Sequence, residues 1–127
     1  MVKCRAFISF DYDNDLKIKN SLIAQAKDKD SPFNIVDVSI KETIDSKWKV
    51  AARENIKQSD IVIFICGHHT DAASGVSAEM SITQEEEKPY FLLKGYKKGD
   101  VKPPRGARSD DEIHEWKWKS LKSLISR

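Results

Sequence analysis

The run Ile61-Val62-Ile63-Phe64-Ile65-Cys66 is the most hydrophobic stretch of the chain. It is apolar without alternation, which is typical of a strand covered on both faces by helices in a parallel sheet. Three further short runs of β-prone residues lie at residues 4–10, 34–40 and 90–96. A fifth and shorter strand is expected within residues 111–116.

The segments around these runs carry apolar residues at helical spacing. They predict helices over residues 16–29, 48–58, 76–87 and 113–125, and the acidic loop 11–15 can cap the first of them. Strands that alternate with helices are joined by right-handed crossovers. We therefore predict an α/β fold of the flavodoxin-like (TIR-like) type. It is a three-layer sandwich with a parallel sheet of four to five strands in the order 2-1-3-4-5.

Length and composition fit one well-solvated globular domain over residues 1–127, with 39% hydrophobic and 33% charged residues. The formal net charge of +2 gives no indication of nucleic-acid binding. No apolar run approaches the roughly 20 residues of a membrane helix, and the amino terminus lacks the layout of a signal peptide. We expect a cytoplasmic protein that binds neither nucleic acid nor membrane. In that compartment Cys4 and Cys66 are expected to be buried free thiols.

The predicted topology places a ligand crevice at the carboxyl ends of the strands, where the strand order reverses. The loops expected there are residues 11–15, 41–47 and 67–75. Two other flavodoxin-like classes fit these loops poorly. A phosphoacceptor receiver needs an aspartate at the end of its third strand, where this chain has Cys66-Gly67. A flavin phosphate would be repelled by the acids of loop 11–15.

Glu79 is the most suggestive residue of the predicted third helix. On a helical wheel it lies between Ile82 and an apolar stripe that includes Val76 and Met80. The carboxylate is therefore expected among apolar neighbours, beside the loop 67–75. A capping box is excluded because residue 76 is valine rather than serine or threonine. A solvent-exposed helical glutamate remains the alternative.

Four motifs, in their order along the chain, resemble the TIR-like proteins of Thoeris antiphage systems. They are Phe7-Ile8-Ser9-Phe10 with the acidic loop up to Asp15, Asp37-x-Ser39 at the end of the second strand, the third strand followed by Gly67, Thr70, Ser74 and Glu79, and Trp116-Lys117-Trp118-Lys119-x-Leu121 near the carboxyl terminus. The resemblance spans nearly the whole chain.

The resemblance implies an enzyme that cleaves NAD, because active TIR domains carry a catalytic glutamate on the helix after the third strand. By position that residue is Glu79. NAD is then the substrate, and no cofactor is implied. The implied product is an ADP-ribose derivative, with a cyclic second messenger as the expected form, which activates a separate effector protein. The resemblance also implies a phage-derived trigger and self-association.

Seven further residues are predicted to bind the substrate. The rings of Phe10 and Tyr12 can stack on nicotinamide or adenine. The alternatives are core packing for Phe10, a plain surface position for Tyr12, ordinary helix packing for Trp48 and a helix N-cap for Ser74. The full set is Phe10, Asp11, Tyr12, Ser39, Trp48, Thr70 and Ser74.

Two other classes of function stay open. Family members often carry tryptophan four residues before the catalytic glutamate, whereas this chain has Gly75. That departure favours an assembly or binding module without turnover. The other class is a nucleotide sensor in which Glu79 only contacts the ligand. Adjacent His68 and His69 lack a third ligand at suitable spacing, so no metal site is predicted.

Overall fold

The computed structural model describes residues 4–12, 14–28, 33–38 and 47–125. Within them, strands and helices alternate along the chain, and a 3-10 turn at Thr70–Ala72 precedes the third helix. The elements are β1 Cys4–Ser9, α1 Leu16–Ala26, β2 Phe33–Val38, α2 Lys47–Gln58, β3 Ile61–Cys66, α3 Ser74–Glu85, β4 Tyr90–Lys94, β5 Ile113–His114 and α4 Trp118–Ile125.

The five strands form one parallel sheet in the order β2-β1-β3-β4-β5. This confirms the predicted flavodoxin-like α/β fold and its strand order. Since β1 pairs with β2 on one side and with β3 on the other, the order reverses at β1. The carboxyl ends of β1 and β3 are therefore the place where such a sheet opens a crevice.

Helices cover both faces of the sheet, and β3 is buried along its whole length. Leu22 of α1 and Leu121 of α4 pack with Ile63 on one face. Ile56 of α2 and Met80 of α3 pack in the cluster on the other face. Each such fully buried side chain contributes roughly 1.5–3 kcal/mol. The continuous apolar run of β3 follows from this double coverage.

The carboxyl-terminal helix differs from its prediction. The apolar spacing predicts a helix from residue 113, but Ile113–His114 form β5 and α4 begins at Trp118. Ile113 and His114 pair with Leu92 and Leu93 of β4. Because the edge of β4 offers these backbone hydrogen bonds, the two residues form a strand although their local apolar spacing predicts a helix. The alternative of a short fifth strand within residues 111–116 is confirmed.

The other boundaries shift by a few residues. Helix α1 ends at Ala26 rather than at residue 29, and α3 begins at Ser74, two residues earlier than predicted. The chain leaves α3 through Glu87, which has a left-handed φ of 54°. No helix in the described ranges is long and apolar enough to cross a membrane.

The two cysteines are free thiols in different surroundings. Cys66 is buried at the end of β3, and desolvation raises the pKa of its thiol to about 12. Cys4 begins β1 and is half-buried rather than buried as expected. Burial, followed by the charge of Asp60, raises the pKa of Cys4 as well.

Candidate active site

Glu79 lies in the second turn of α3, and only 2% of its surface is exposed. Its carboxylate Oε1 accepts a hydrogen bond of 2.7 Å from the hydroxyl of Ser9. Ser9 is the last residue of β1 and is itself buried. The glutamate therefore reaches from its helix to the carboxyl end of β1. The alternative of a solvent-exposed helical glutamate is wrong.

Helix α3 turns Glu79 towards the sheet because its apolar residues share that side. Val76 and Met80 pack in the core cluster with Phe7 of β1. One turn after Glu79, the hydroxyl of Thr83 donates a hydrogen bond of 2.7 Å to the carbonyl oxygen of Glu79. The backbone that carries the carboxylate is thus held by packing and by an additional hydrogen bond.

Two further polar residues are buried at the same edge of the sheet. Asp11 follows β1, and its Oδ2 accepts a hydrogen bond of 2.6 Å from the side-chain amide of Asn14. Thr70 follows β3, and its Oγ1 accepts a hydrogen bond of 2.7 Å from the backbone N–H of Gly67. These bonds fix the loops after β1 and β3. Polar groups thus gather where the strand order reverses.

Asp15 is a third buried carboxylate at this edge, after Glu79 and Asp11, with 1% of its surface exposed. It occupies the N-cap position of α1 but makes no side-chain capping hydrogen bond, contrary to the predicted cap. Instead, its Oδ1 accepts a hydrogen bond of 2.6 Å from the hydroxyl of Tyr96. Its Oδ2 is buried without a hydrogen-bond partner.

The backbone of Gly67 makes room for the Asp15 carboxylate. A Cβ at residue 67 would lie 2.4 Å from Oδ2 and 2.6 Å from Oδ1 of Asp15. Burial is the largest cause that raises the pKa of Asp15, and the hydrogen bond from Tyr96 is the largest that opposes it. Burial and this bond also raise the pKa of Tyr96 to about 12. The proton between the two groups therefore stays on the tyrosine at neutral pH.

His68 forms a cluster with Asp15 and Tyr96. Its ring stacks on Tyr96 with the ring centroids 4.5 Å apart, and its Nδ1 lies 2.8 Å from the carbonyl oxygen of Asp100. The loops after β1, β3 and β4 are thereby joined. No group of three metal-ligating side chains occurs in the part of the chain that the structure describes.

The predicted aromatic residues lie at different depths. Phe10 is buried in the core beneath α1 and α4, on the other side of the sheet from Glu79. Its position is therefore that of the core-packing alternative. Tyr12 is 40% exposed and stacks on Phe10 with centroids 5.8 Å apart. Trp48 is buried in the first turn of α2.

The remaining predicted residues are placed as follows. Asp11 and Thr70 lie at the carboxyl edge, as described above. Ser74 is exposed and is the first residue of α3, while Ala73 occupies the N-cap position. Ser39 lies outside the described residues. Gly75 is half-buried in the first turn of α3, one turn before Glu79.

Sequence reasoning did not assign roles to Ser9, Asp15 or Tyr96 in this edge. Ser9 lies inside the motif Phe7-Ile8-Ser9-Phe10. Neighbouring side chains of a strand point to opposite faces, and Ile8 packs beneath α1 and α4, so this alternation could have placed Ser9 on the face covered by α3. Tyr96 is 81 residues from Asp15 in the chain, and no local pattern links them. Only the convergence of strand ends in this topology could have suggested their contact.

The architecture first defines the class of protein, a flavodoxin-like α/β domain with buried polar side chains at the carboxyl ends of β1 and β3. A crystal structure of a prokaryotic SEFIR domain resembles it with a TM-score of 0.56. The match covers 98% of this chain and 88% of that chain at 15% sequence identity, so the likeness concerns the fold alone. No curated protein sequence matches the chain.

The family follows from the sequence. The family model described as "Thoeris protein ThsB, TIR-like domain" matches residues 7–98. The chain therefore belongs to the Thoeris ThsB TIR-like family. The matched segment contains the buried carboxylates Glu79 and Asp15 and the side chains that hold them, Ser9 and Tyr96, as well as the buried Asp11.

Proposed function

We propose that this protein cleaves NAD⁺ between nicotinamide and ribose, with Glu79 as the catalytic carboxylate. The observation that carries the proposal is the Glu79 side chain, buried and held by Ser9 at the carboxyl end of β1. A carboxylate in a water-poor edge interacts more strongly with a developing positive charge than one in bulk water. Membership of a TIR-like family supports the same assignment.

One carboxylate side chain suffices for this reaction. When the bond between ribose C1′ and the nicotinamide nitrogen breaks, its electron pair leaves with nicotinamide, which departs as a neutral molecule. The ribose becomes cationic, as in glycoside hydrolysis, but no general acid is needed for the leaving group. Glu79 stabilises the cationic sugar and can hold its hydroxyl groups. In hydrolysis, water then bonds to C1′ and releases one proton to solvent. In cyclisation, an adenine nitrogen of the same molecule bonds to C1′ instead and takes over the positive charge.

The product of the proposed reaction is an ADP-ribose derivative that acts as a diffusible second messenger. A cyclic product requires that water be kept out while the internal nucleophile attacks. The messenger would activate a separate effector protein, and a phage-derived signal would switch the enzyme on. Self-association would complete the site. These partners follow from the proposed place in a Thoeris defence system.

A second candidate function is an assembly module without turnover. Gly75, one turn before Glu79, favours it because active family members often carry tryptophan there. Glycine offers no ring to stack on the substrate or to exclude water from the edge. In this alternative, Glu79 and Ser9 would serve only the packing of α3 on β1.

Nicotinamide release from NAD⁺ separates the two functions. Glu79→Gln preserves the shape and an acceptor for the Ser9 hydroxyl but removes the charge. We expect this variant to lose about 10²–10³-fold in rate. The matched control is Glu85→Gln on the same helix, because Glu85 is exposed and pairs only at the surface with Arg53. The control should retain the wild-type rate.

Both variants are assayed over a series of protein concentrations and in extracts of infected bacteria, so that self-association and a trigger are supplied. Equal nicotinamide release by wild type and Glu79→Gln would exclude the mechanism. A wild-type protein that releases none under any of these conditions, while still forming oligomers, would favour the assembly module. Mass spectrometry of the nucleotide product distinguishes hydrolysis from cyclisation.

A further inference from the structure

A groove of about 670 Å³ opens beside the carboxyl end of β4, away from Glu79. Tyr96 and Trp116 line it together with Gln25 of α1. Trp116 packs against the core cluster beneath α1 and α4. Glu79, by contrast, lies on α3, which covers the opposite face of the sheet. The groove is thus separate from Glu79, although Tyr96 joins it to Asp15, and its volume is that of a small-molecule site.

The charged side chains of this groove favour an anion. Lys94, Lys97 and Lys117 line it, against the single acid Glu115, which leaves a net charge of +2. Lys117 and Glu115 form an ion pair of 2.9 Å at the surface, where both side chains are about two-thirds exposed. The hydrogen bond from Lys117 holds the pKa of Glu115 below its usual value. The charge of Lys94 also acts on Glu115, whereas Lys97 is exposed.

The two aromatic rings are held in place by their polar ends. The indole N–H of Trp116 donates a hydrogen bond of 2.6 Å to Oε1 of Gln25. Tyr96 donates to the buried Asp15 and stacks on His68. Rings fixed in this way lose little conformational freedom when a flat ligand packs against them. A groove that joins fixed aromatic rings to lysines offers stacking for a base and charge for phosphates.

We propose that this groove is a second binding site for a nucleoside diphosphate, with its base against Trp116 and its phosphates between Lys94, Lys97 and Lys117. The site is independent of NAD⁺ cleavage, since it lies on the other face of the sheet and shares no side chain with Ser9 and Glu79. It touches the catalytic edge only through Tyr96, which holds Asp15.

The indole N–H resonance of Trp116, identified by its loss in Trp116→Phe, reports binding in the full chain. Titration with ADP should shift this signal to saturation. The double variant Lys97→Gln/Lys117→Gln should bind ADP roughly 2- to 30-fold more weakly, because two exposed charge pairs are lost. The matched control Lys49→Gln/Lys57→Gln removes two exposed charges on α2, across the sheet, and should leave affinity nearly unchanged.

Three results would overturn the proposal. The Trp116 signal stays in place at saturating ADP, or both double variants weaken binding equally, or inorganic pyrophosphate or adenosine alone binds as tightly as ADP. Added salt should weaken ADP binding, since Lys97 and Lys117 are exposed. Because Glu79→Gln leaves the groove intact, ADP binding should persist in that variant. An inactive wild-type enzyme would therefore not affect the outcome.

Discussion

Glu79 and Asp15 are two buried carboxylates at the same edge of one sheet, yet their surroundings differ. Glu79 lies in the middle of a helix and accepts a hydrogen bond from Ser9. Asp15 precedes a helix, lies over the bare backbone of Gly67, and leaves Oδ2 without a partner. The comparison indicates that burial alone does not assign a catalytic role. The chemistry depends on which donors hold the carboxylate and whether a substrate can reach it.

The largest effect on this comparison is expected from Ser9→Ala, which removes the hydroxyl that holds Glu79. A buried hydrogen bond to a charged group is worth about 1.5–3 kcal/mol, so the free energy of unfolding should fall by that amount. Nicotinamide release should fall by about tenfold or more, because a mobile carboxylate is poorly aligned.

Ser59→Ala is the matched control for Ser9→Ala. Ser59 is equally buried and donates a hydrogen bond of 2.7 Å to the neutral carbonyl oxygen of Ile56. Its loss should cost about 1 kcal/mol in urea unfolding and leave the rate unchanged. If Ser9→Ala proves no more destabilising than Ser59→Ala and releases nicotinamide at the same rate, Ser9 does not hold the Glu79 side chain in place.

A somewhat smaller effect is expected from Gly67→Ala. The added Cβ would meet both carboxylate oxygens of Asp15, so the carboxylate must shift from the position in which it accepts the hydrogen bond from Tyr96. Such overpacking costs about 1–3 kcal/mol of stability. The penalty should largely vanish in an Asp15→Ala background, which thermal unfolding of the single and double variants measures. Additive losses would show that the two residues do not compete for the same space.

The pH dependence of stability tests Asp15 directly. Its pKa in the folded protein is raised above the ordinary value of 3.8, so the folded state binds its proton more tightly than the unfolded state. This contribution stabilises the fold at low pH and is lost as the pH rises from 3.8 through the folded-state value. Relative to Asp15→Asn, the wild type should therefore lose stability across that interval. Urea unfolding at a series of pH values measures the difference in stability between the two proteins. A difference that does not vary with pH would contradict the raised pKa.

The smallest change is expected from Tyr96→Phe, which removes the donor to Asp15 but keeps the ring on His68. This hydrogen bond is only part-buried, in contrast to that of Ser9, so we expect its loss to lower the free energy of unfolding by about 0.5–1.5 kcal/mol in urea. The rate of nicotinamide release should stay near that of the wild type. A loss of activity comparable to that of Ser9→Ala would mean that both carboxylates serve the reaction.

The fold could be predicted from sequence because its main signals are local. The uninterrupted apolar run Ile61–Cys66 indicates a strand covered on both faces, and the alternation of periods gives the crossovers. The start of α4 could not be predicted, since Ile113 and His114 have helical spacing but pair with Leu92 and Leu93. The free edge of a sheet is a feature of the assembled fold rather than of the segment.

The candidate site could be predicted only in part. The burial of Glu79 follows from its place on the apolar side of a helix, and its family resemblance suggests its role. The cluster of Asp15, Tyr96 and His68 depends on loops that meet only after the sheet has formed. An aspartate before a helix is normally interpreted as a cap, and nothing nearby in sequence indicates that its side chain turns away.

The unequal burial of the two thiols gives the chain a natural attachment point. Cys66 is shielded and has a pKa of about 12, so it remains a thiol and reacts slowly with alkylating reagents. Cys4 is partly exposed at the opposite end of β1 from Ser9, about 17 Å away along extended chain. A dye or surface tether coupled at Cys4 would therefore leave the candidate active site around Glu79 unobstructed without any engineered residue.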